Sequence, residues 1–533
     1  MAEESEEGVN PVACAISVML LGNIGFQMLL FYLVHWPDPD IRRYSWQVIS
    51  QTISIFCAVL LFQAFNGVIE DYVIKGGSEM WEVFVDMAQL LFWLTALQVV
   101  LAVTSGAIND LLGGEDPDLA TVKLRLKSWS VLFSHLAGFS SINAWGSLQQ
   151  SLLNASPEMA LFTVPVGLFG LSMMYHGYHK VRDHINHMDD GDEDEYEHLW
   201  NEYTEEAEND VAGLSLSFLT IQALRFQISG VLPNQEGGES WENSISHHGE
   251  QWKLLTGSGV LFFVLSVIPV LAEQLGEPQG RLKRLVEFLN NYFTFGTAWC
   301  VFFGTKWAIS SLGVIRQDTL LLVVIALFLS AASFSFIFVL DKIEDNHLLG
   351  QDSEVTEGAV DKLIQALAIL IGFSWEQCFD TAVTVVAEGA KASCPPAISK
   401  LLMSLLLVLI VFPAWRIYIL PTEVDLSEET DETFIMKKLA GEHNEMFRSK
   451  EFGEHELDLA HLQMKRHRRE IMKLPLPGHA ASYDSSGLTH LRVTRQGITA
   501  VDAPKLPMKS AEHGGHKKKK LTHKKDITER LLG

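Results

Sequence analysis

Long apolar runs recur along this 533-residue chain up to about residue 420. Each is long enough to cross the roughly 30 Å hydrocarbon core of a bilayer as a helix of about 20 residues. Lipid offers backbone groups no hydrogen-bond partners, so a chain of such runs is held to helices that satisfy themselves. Hydrophobic residues make up 48 % of the sequence although the net charge is -25, so charge is segregated between the runs. The expected fold is therefore all-α: a polytopic membrane protein with about eleven transmembrane helices.

The expected spans cover 11–34, 46–71, 80–106, 127–153, 158–179, 211–232, 254–273, 286–312, 318–341, 359–388 and 397–420. Loops after the odd-numbered spans carry Arg42 and Arg43; Lys123, Arg125 and Lys127; Lys180 and Arg182; Arg281, Lys283 and Arg284; and Lys342 and Lys362. The other loops are poorer in cations, so the first set is expected in the cytoplasm. An integral membrane protein follows, with residues 1–10 outside and the C-terminus inside. The acidic start lacks the basic region of a cleavable signal peptide.

Between the transmembrane blocks 11–180 and 254–420 lie an acidic cytoplasmic loop (181–210), a linking helix (211–232) and an external loop (233–253). The loop holds twelve acidic residues between Asp189 and Asp210, but Glu195 and Asn201 stand where a Ca2+-binding loop needs Gly and Glu. Spans 8 and 10 share Gly, Trp, Phe and Thr in register from Gly296 and Gly372, which suggests two parallel five-helix halves joined by one extra helix. Otopetrin-type proton channels have a similar general plan; none of their motifs occurs here, so the likeness is one of topology. A cytoplasmic helical segment is expected at 421–475, then a basic disordered tail (476–533) suited to anionic lipids. The bilayer is the main partner; homo-oligomers are compatible with the composition, and nucleic acid is not an expected partner.

A charge at the bilayer centre costs about 3 kcal/mol, so intramembrane polar residues mark a protein interior or a watery path. Gly372, Glu376, Asp380, Thr384 and Glu388 form one ridge at i, i+4 steps on span 10. Glu82, Asp86 and Gln89 share a face of span 3, and Gln63, Asn66 and Glu70 a face of span 2. With Asn143, Arg225 and Lys306 they all fall in the outer half. Glu376, Asp380, Asp86, Glu82, Glu70 and Asn66 are the candidate ion-binding or permeation residues. Lys306 and Arg225 are candidate pairing or gating partners for Glu376 and Asp380. The small-residue ridge Gly296, Cys300, Gly304 and Ala308 is expected to serve helix packing.

His176, His179, Asp183 and His187 line one face where span 5 leaves the membrane, a candidate pH- or metal-sensing stripe or a plain solvated one. Membrane di-iron oxygenases need several histidine boxes on one side, which this chain lacks. The five cysteines show no CxxC spacing. With no phosphate-binding loop, catalytic triad or repeated-arginine span, an ATP-driven pump, an enzyme and a voltage sensor are not expected, and no cofactor is called for. The expected function is an ion channel or secondary transporter for protons or cations. The alternative is a non-transporting scaffold that docks partners through its acidic loop and basic tail.

Overall fold

A computed structural model describes residues 11–108, 118–186, 194–247, 250–275, 281–315, 318–345, 353–427, 490–494 and 497–501. The chain divides into two compact units, Met1–Asp431 and Glu432–Gly533. In the second, β1 (His490–Thr494) pairs antiparallel with β2 (Gly497–Val501), with His490 opposite Val501. This hairpin departs from the disorder expected of the tail; the basic clusters at 465–469 and 517–520 lie outside the described residues.

The first unit is helical. Its elements are α1 (Pro11–Val34), α2 (Pro39–Ile69, prolonged by a π turn over Glu70–Ile74), α3 (Glu79–Ser105), α4 (Leu119–Leu152), α5 (Pro157–Asn186) and α6 (Glu195–Ser229). Then follow the short α7 (Trp241–Ser246), α8 (Glu250–Leu275), α9 (Arg281–Ser311), α10 (Asp318–Asp345), α11 (Ser353–Gly389) and α12 (Pro396–Ala414, with a π turn over Trp415–Ile419). Each expected span falls in one of these helices. Seven of them, α2, α3, α5, α6, α8, α10 and α12, are long and apolar enough to cross a membrane. The count of eleven is not reached on length and composition. In α1 the apolar described stretch is only Leu20–Val34, and α4, α9 and α11 carry polar residues that pack inside the bundle.

Local chemistry sets the helix ends. Asp38 caps α2 ahead of Pro39, and Ser78 caps α3, which stops at Gly106 with φ 89°. The acidic loop expected at 181–210 is largely helix: Asp194 and Glu197 form a reciprocal capping box that starts α6. Acidic side chains there favour the positive end of the helix dipole, so a run that reads as a solvated loop is a good helix start. Deeper in α6, Glu208 is fully buried and binds Arg182 of α5 at 3.0 Å as well as Arg284 of α9.

The helices pack in two layers. α2, α4, α6, α9 and α11 form a closed inner ring in which each touches the next and α11 returns to α2. The helix at 211–232, expected as a linker, is therefore a full ring member. All five run the same way. Along α6 and α9, Asp210 accepts from Asn291 at 2.8 Å near one end and Arg225 covers Phe303 near the other; along α2 and α11, Thr52 meets Gly372 and Gln63 meets Asp380. The remaining long helices lie outside: α3 and α5 against α4 and α6, α8 on α9, α10 on α11, α12 on α2, and α1 between α2 and α10.

The small-residue ridge of α9 is a packing surface. A Cβ on Gly296 would collide with Phe262 of α8 and one on Gly304 with Thr256, while Cys300 faces Gly259. Substituting Gly296 by Val should cost about 1–3 kcal/mol through overpacking. Gly25 of α1, with open space around its Cβ position, should accept Ala without loss. Thermal unfolding of the two variants in detergent checks the contrast.

Candidate functional site

All five ring helices point an aromatic or polar side chain at one cavity of about 30 Å³ on the ring axis. Phe62 (α2), Phe139 (α4), Phe218 (α6), Trp299 (α9) and Phe373 (α11) line it with one aromatic per helix. Phe218 meets Trp299 edge-on at 5.0 Å, and Trp299 meets Phe373 edge-on at 4.2 Å. Edge-to-face pairs of this kind hold rings in place more firmly than area alone would. One turn further along the parallel helices the residues turn polar: Asn66, Asn143, Gln222 and Gln377 each stand four positions after an aromatic of this tier. An apolar tier is thus stacked beneath a polar chamber.

Glu376 is 1 % exposed and lines the chamber; Gln377 donates to one of its oxygens at 2.9 Å, and the other has no hydrogen-bond partner. Buried polar atoms are nearly always bonded, so an orphaned carboxylate oxygen facing a cavity marks a place where water or an ion is wanted. Asp380, one turn on, pairs with Lys400 of α12 at 2.7 Å. With its amide nitrogen turned to Asp380, Gln63 donates to the same carboxylate. Asn143 donates to Asn66 at 3.3 Å, and Asn66 donates to Glu70 at 2.7 Å. Ser147 and Asn143 both bond Asp86, which is 1 % exposed. Glu82 accepts from Gln235 at 2.7 Å.

Of Glu376, Asp380, Asp86, Glu82, Glu70 and Asn66, Glu376 lines the chamber directly; Asp86 and Asn66 bond Asn143, Glu82 bonds Gln235 and Asp380 accepts from Gln63, all residues of its wall, and Glu70 bonds Asn66. The span 10 ridge divides: Gly372 packs on α2, Glu376 is buried, Asp380 half-buried, and Thr384 and Glu388 are exposed. The pairing of Glu376 and Asp380 with Lys306 and Arg225 does not form. Arg225 is bound elsewhere, and among the described residues no ion pair joins Lys306, which sits in the field of Arg225, Glu239 and Asp318.

Arg225 instead serves the segment after α6, read from sequence as a plain external loop. That segment folds back into the mouth of the ring. Gly237, at φ 80°, makes the turn, and a Cβ there would reach within 2.8 Å of the Phe303 ring. Ring side chains hold the loop's carbonyls: Gln150 donates to Pro233, Gln222 to Asn234 at 2.7 Å and Arg225 to Gly237 at 3.0 Å. Glu239 pairs with Arg225 and accepts from Trp307 at 2.9 Å, with His247 at 3.1 Å. Arg225 also stacks on Phe303 at 3.8 Å. This fixes Gln235 and Glu236 in the chamber wall. Glu236 stays exposed, yet the surrounding protein desolvates its carboxyl and Asp380 repels it, pushing it above the ordinary glutamate range while Lys400 opposes.

Sequence reasoning missed Glu236, Glu239 and Lys400. Asn-Gln-Glu-Gly-Gly at 234–238 is a turn signal that fits a chain doubling back. Lys400 stands just after the Pro-Pro pair, where it reads as a loop charge. The histidine stripe stays apart: His176, His179 and Asp183 are exposed on α5, and His187 lies outside the described residues. Among the described residues the carboxylate grouping close enough to share an ion is Asp38, Asp40 and Asp341, not the histidines. No protein-family model matches this chain, and no curated protein and no solved structure matches it either. Fold and site together describe a helical first unit with membrane-compatible helices around an acidic central chamber.

The latch on the loop is testable. Burial works to raise the Glu239 carboxyl, but hydrogen bonds from His247 and Trp307 and the charge of Arg225 hold it at about 2. Its folded-state value lies below the ordinary 4.5, so its stabilisation is complete above that pH and is lost as pH falls toward 2. E239Q should cost about 3–5 kcal/mol at neutral pH by leaving Arg225 buried and unpaired. Melting of wild type and variant between neutral and acid pH should show the gap closing as acid removes the wild type's advantage.

Proposed function

We propose that the first unit is a proton or cation channel or secondary transporter whose ion site is the acidic chamber. The observation that carries this reading is Glu376, sealed inside the bundle with an unpartnered oxygen against a cavity. A carboxylate used only for packing would be expected to meet a counter-charge, because an unpaired buried charge is costly. Supporting it, Glu236 and Glu376 line the chamber with no Lys or Arg among its lining residues, and Lys400 nearby is engaged by Asp380, so acids exceed bases there.

In this reading the loop side is the outer face, in keeping with the distribution of Lys and Arg over eleven spans, an external N-terminus and a cytoplasmic tail that engages anionic lipids. Glu70 and Glu236, both exposed, and the half-buried Glu82 attract the ion at the mouth. Asp380 and Glu376 receive it. The aromatic tier beneath closes the way onward, and passage requires those rings to part. A cavity of about 30 Å³ has room for a few waters at most, which suits a proton handed between carboxyls better than a fully hydrated ion. The scaffold alternative has less support, because α6 absorbs most of the acidic segment it would use for docking and buries Glu197 and Glu208.

The test is the double variant E376Q/D380N in liposomes. Proton- or cation-dependent flux should vanish while insertion and the elution profile stay normal. Undiminished flux through the double variant, or no flux through the wild-type protein, would sink the proposal.

A further inference from the structure

Two carboxylates line the chamber, and they differ in what else they meet. Glu376 is sealed, with one oxygen unbonded. Glu236 is exposed to solvent, and no other residue that lines the chamber is. A space with room for a few waters at most thus shares one side chain with the outside, and that side chain is a carboxylate. The segment that carries it is pinned on both sides. Before Glu236, Pro233 accepts from Gln150 of α4, Asn234 accepts from Gln222 of α6 at 2.7 Å, and Gln235 donates to Glu82 of α3 at 2.7 Å. After it, Gly237 accepts from Arg225 at 3.0 Å, and Arg225, Trp307 and His247 hold Glu239. Gly146 of α4 lets its helix close on Gln235: a Cβ at 146 would lie 3.5 Å from that of Gln235. To swing clear of the mouth the loop must break these bonds together, and each buried polar group left unmatched costs about 1–3 kcal/mol. Held this way, the loop is a wall, not a lid.

We propose that Glu236 is the proton entry residue of the chamber and that the inserted loop is a fixed filter, which protons cross on the Glu236 carboxyl while hydrated metal cations are kept out. The inference rests on the chamber being an ion site, and it names the ion class and the way in. The Glu236 carboxylate takes a proton from a hydronium ion on the solvent side, which leaves as water. It gives that proton to a water in the chamber, which passes one of its own to the unbonded oxygen of Glu376, and Glu236 is a carboxylate again. A proton crosses as a rearrangement of O–H bonds and needs no opening. A metal cation with its hydration shell needs a gap that the pinned loop does not offer.

The experiment uses the full-length protein in liposomes. Proton flux should fall on the order of a hundredfold in E236Q, the scale of a lost, positioned proton carrier, and E236D should recover part of it; E236A stands in where E236Q does not fold. The loop is tested with G146C/Q235C, because a Cβ separation of 3.5 Å matches that of a disulfide. Its oxidised and reduced forms should carry protons at the same rate, with G146C and Q235C alone as controls for oxidation elsewhere. Undiminished flux through folded E236Q overturns the proposal and leaves the ion-site reading standing. Loss of proton flux on oxidation, with its return on reduction, overturns it too by making the loop a lid, as does Na+ flux through the wild type equal to its proton flux. Absence of any flux through the wild type overturns both the proposal and the reading beneath it.

Discussion

Five parallel helices can close into a ring only if something at the centre fills the space their backbones cannot. Here that filling is the aromatic tier, one ring each from α2, α4, α6, α9 and α11, with Trp299 set edge-on between Phe218 and Phe373 at 5.0 and 4.2 Å. Because the helices point the same way, residues one turn beyond each aromatic arrive together at the next level. The polar chamber is thus a geometric consequence of the closure below it. The outer helices face away from this axis and carry much of the exposed apolar surface, such as Phe92 of α3, Phe169 of α5 and Leu409 of α12.

Charge is divided between places with opposite physical character. Arg182, Glu208 and Arg284, tied to Gln98, stitch α3, α5, α6 and α9 together, and Arg225, Glu239 and His247 anchor the inserted loop. In each, acid and base are matched and hydrogen-bonded, the condition under which buried charge is tolerated. The chamber is different. Its acids outnumber Lys400, and one oxygen of Glu376 goes unbonded. That imbalance, set beside the matched pairs Arg182–Glu208 and Arg225–Glu239, is the physical feature on which the ion-site proposal rests.

Much of this was legible in the residues. The spacing of Glu376 and Asp380 put them on one helix face, and the shared depth of Asn66, Glu70, Glu82, Asp86 and Asn143 follows from alternating spans. Other features were hidden by the same logic that revealed these. Asp194 to Asp210 reads as a solvated loop because charge density mimics disorder, whereas a capping box and inward-facing Leu199, Trp200 and Glu208 make it helix. Arg225 lies at a depth that suggests pairing across to span 10, but its partner comes from a loop only fourteen positions along the chain. A chain that doubles back into the mouth of a helical ring leaves only glycines and an asparagine as its trace.

By itself the sequence determined the all-helical class, the segments long and greasy enough to seek a bilayer, and the set of polar side chains too costly to face lipid. Those follow from local composition and helical period, which act within one segment. Only the tertiary structure decided that five alternate helices close around an aromatic tier, that Glu236 enters from a loop, and that Asp380 is met by Lys400 rather than Lys306. Pairings of that kind depend on which helices become neighbours, and neighbours are chosen by packing shape across hundreds of residues, where a one-dimensional pattern carries almost no information.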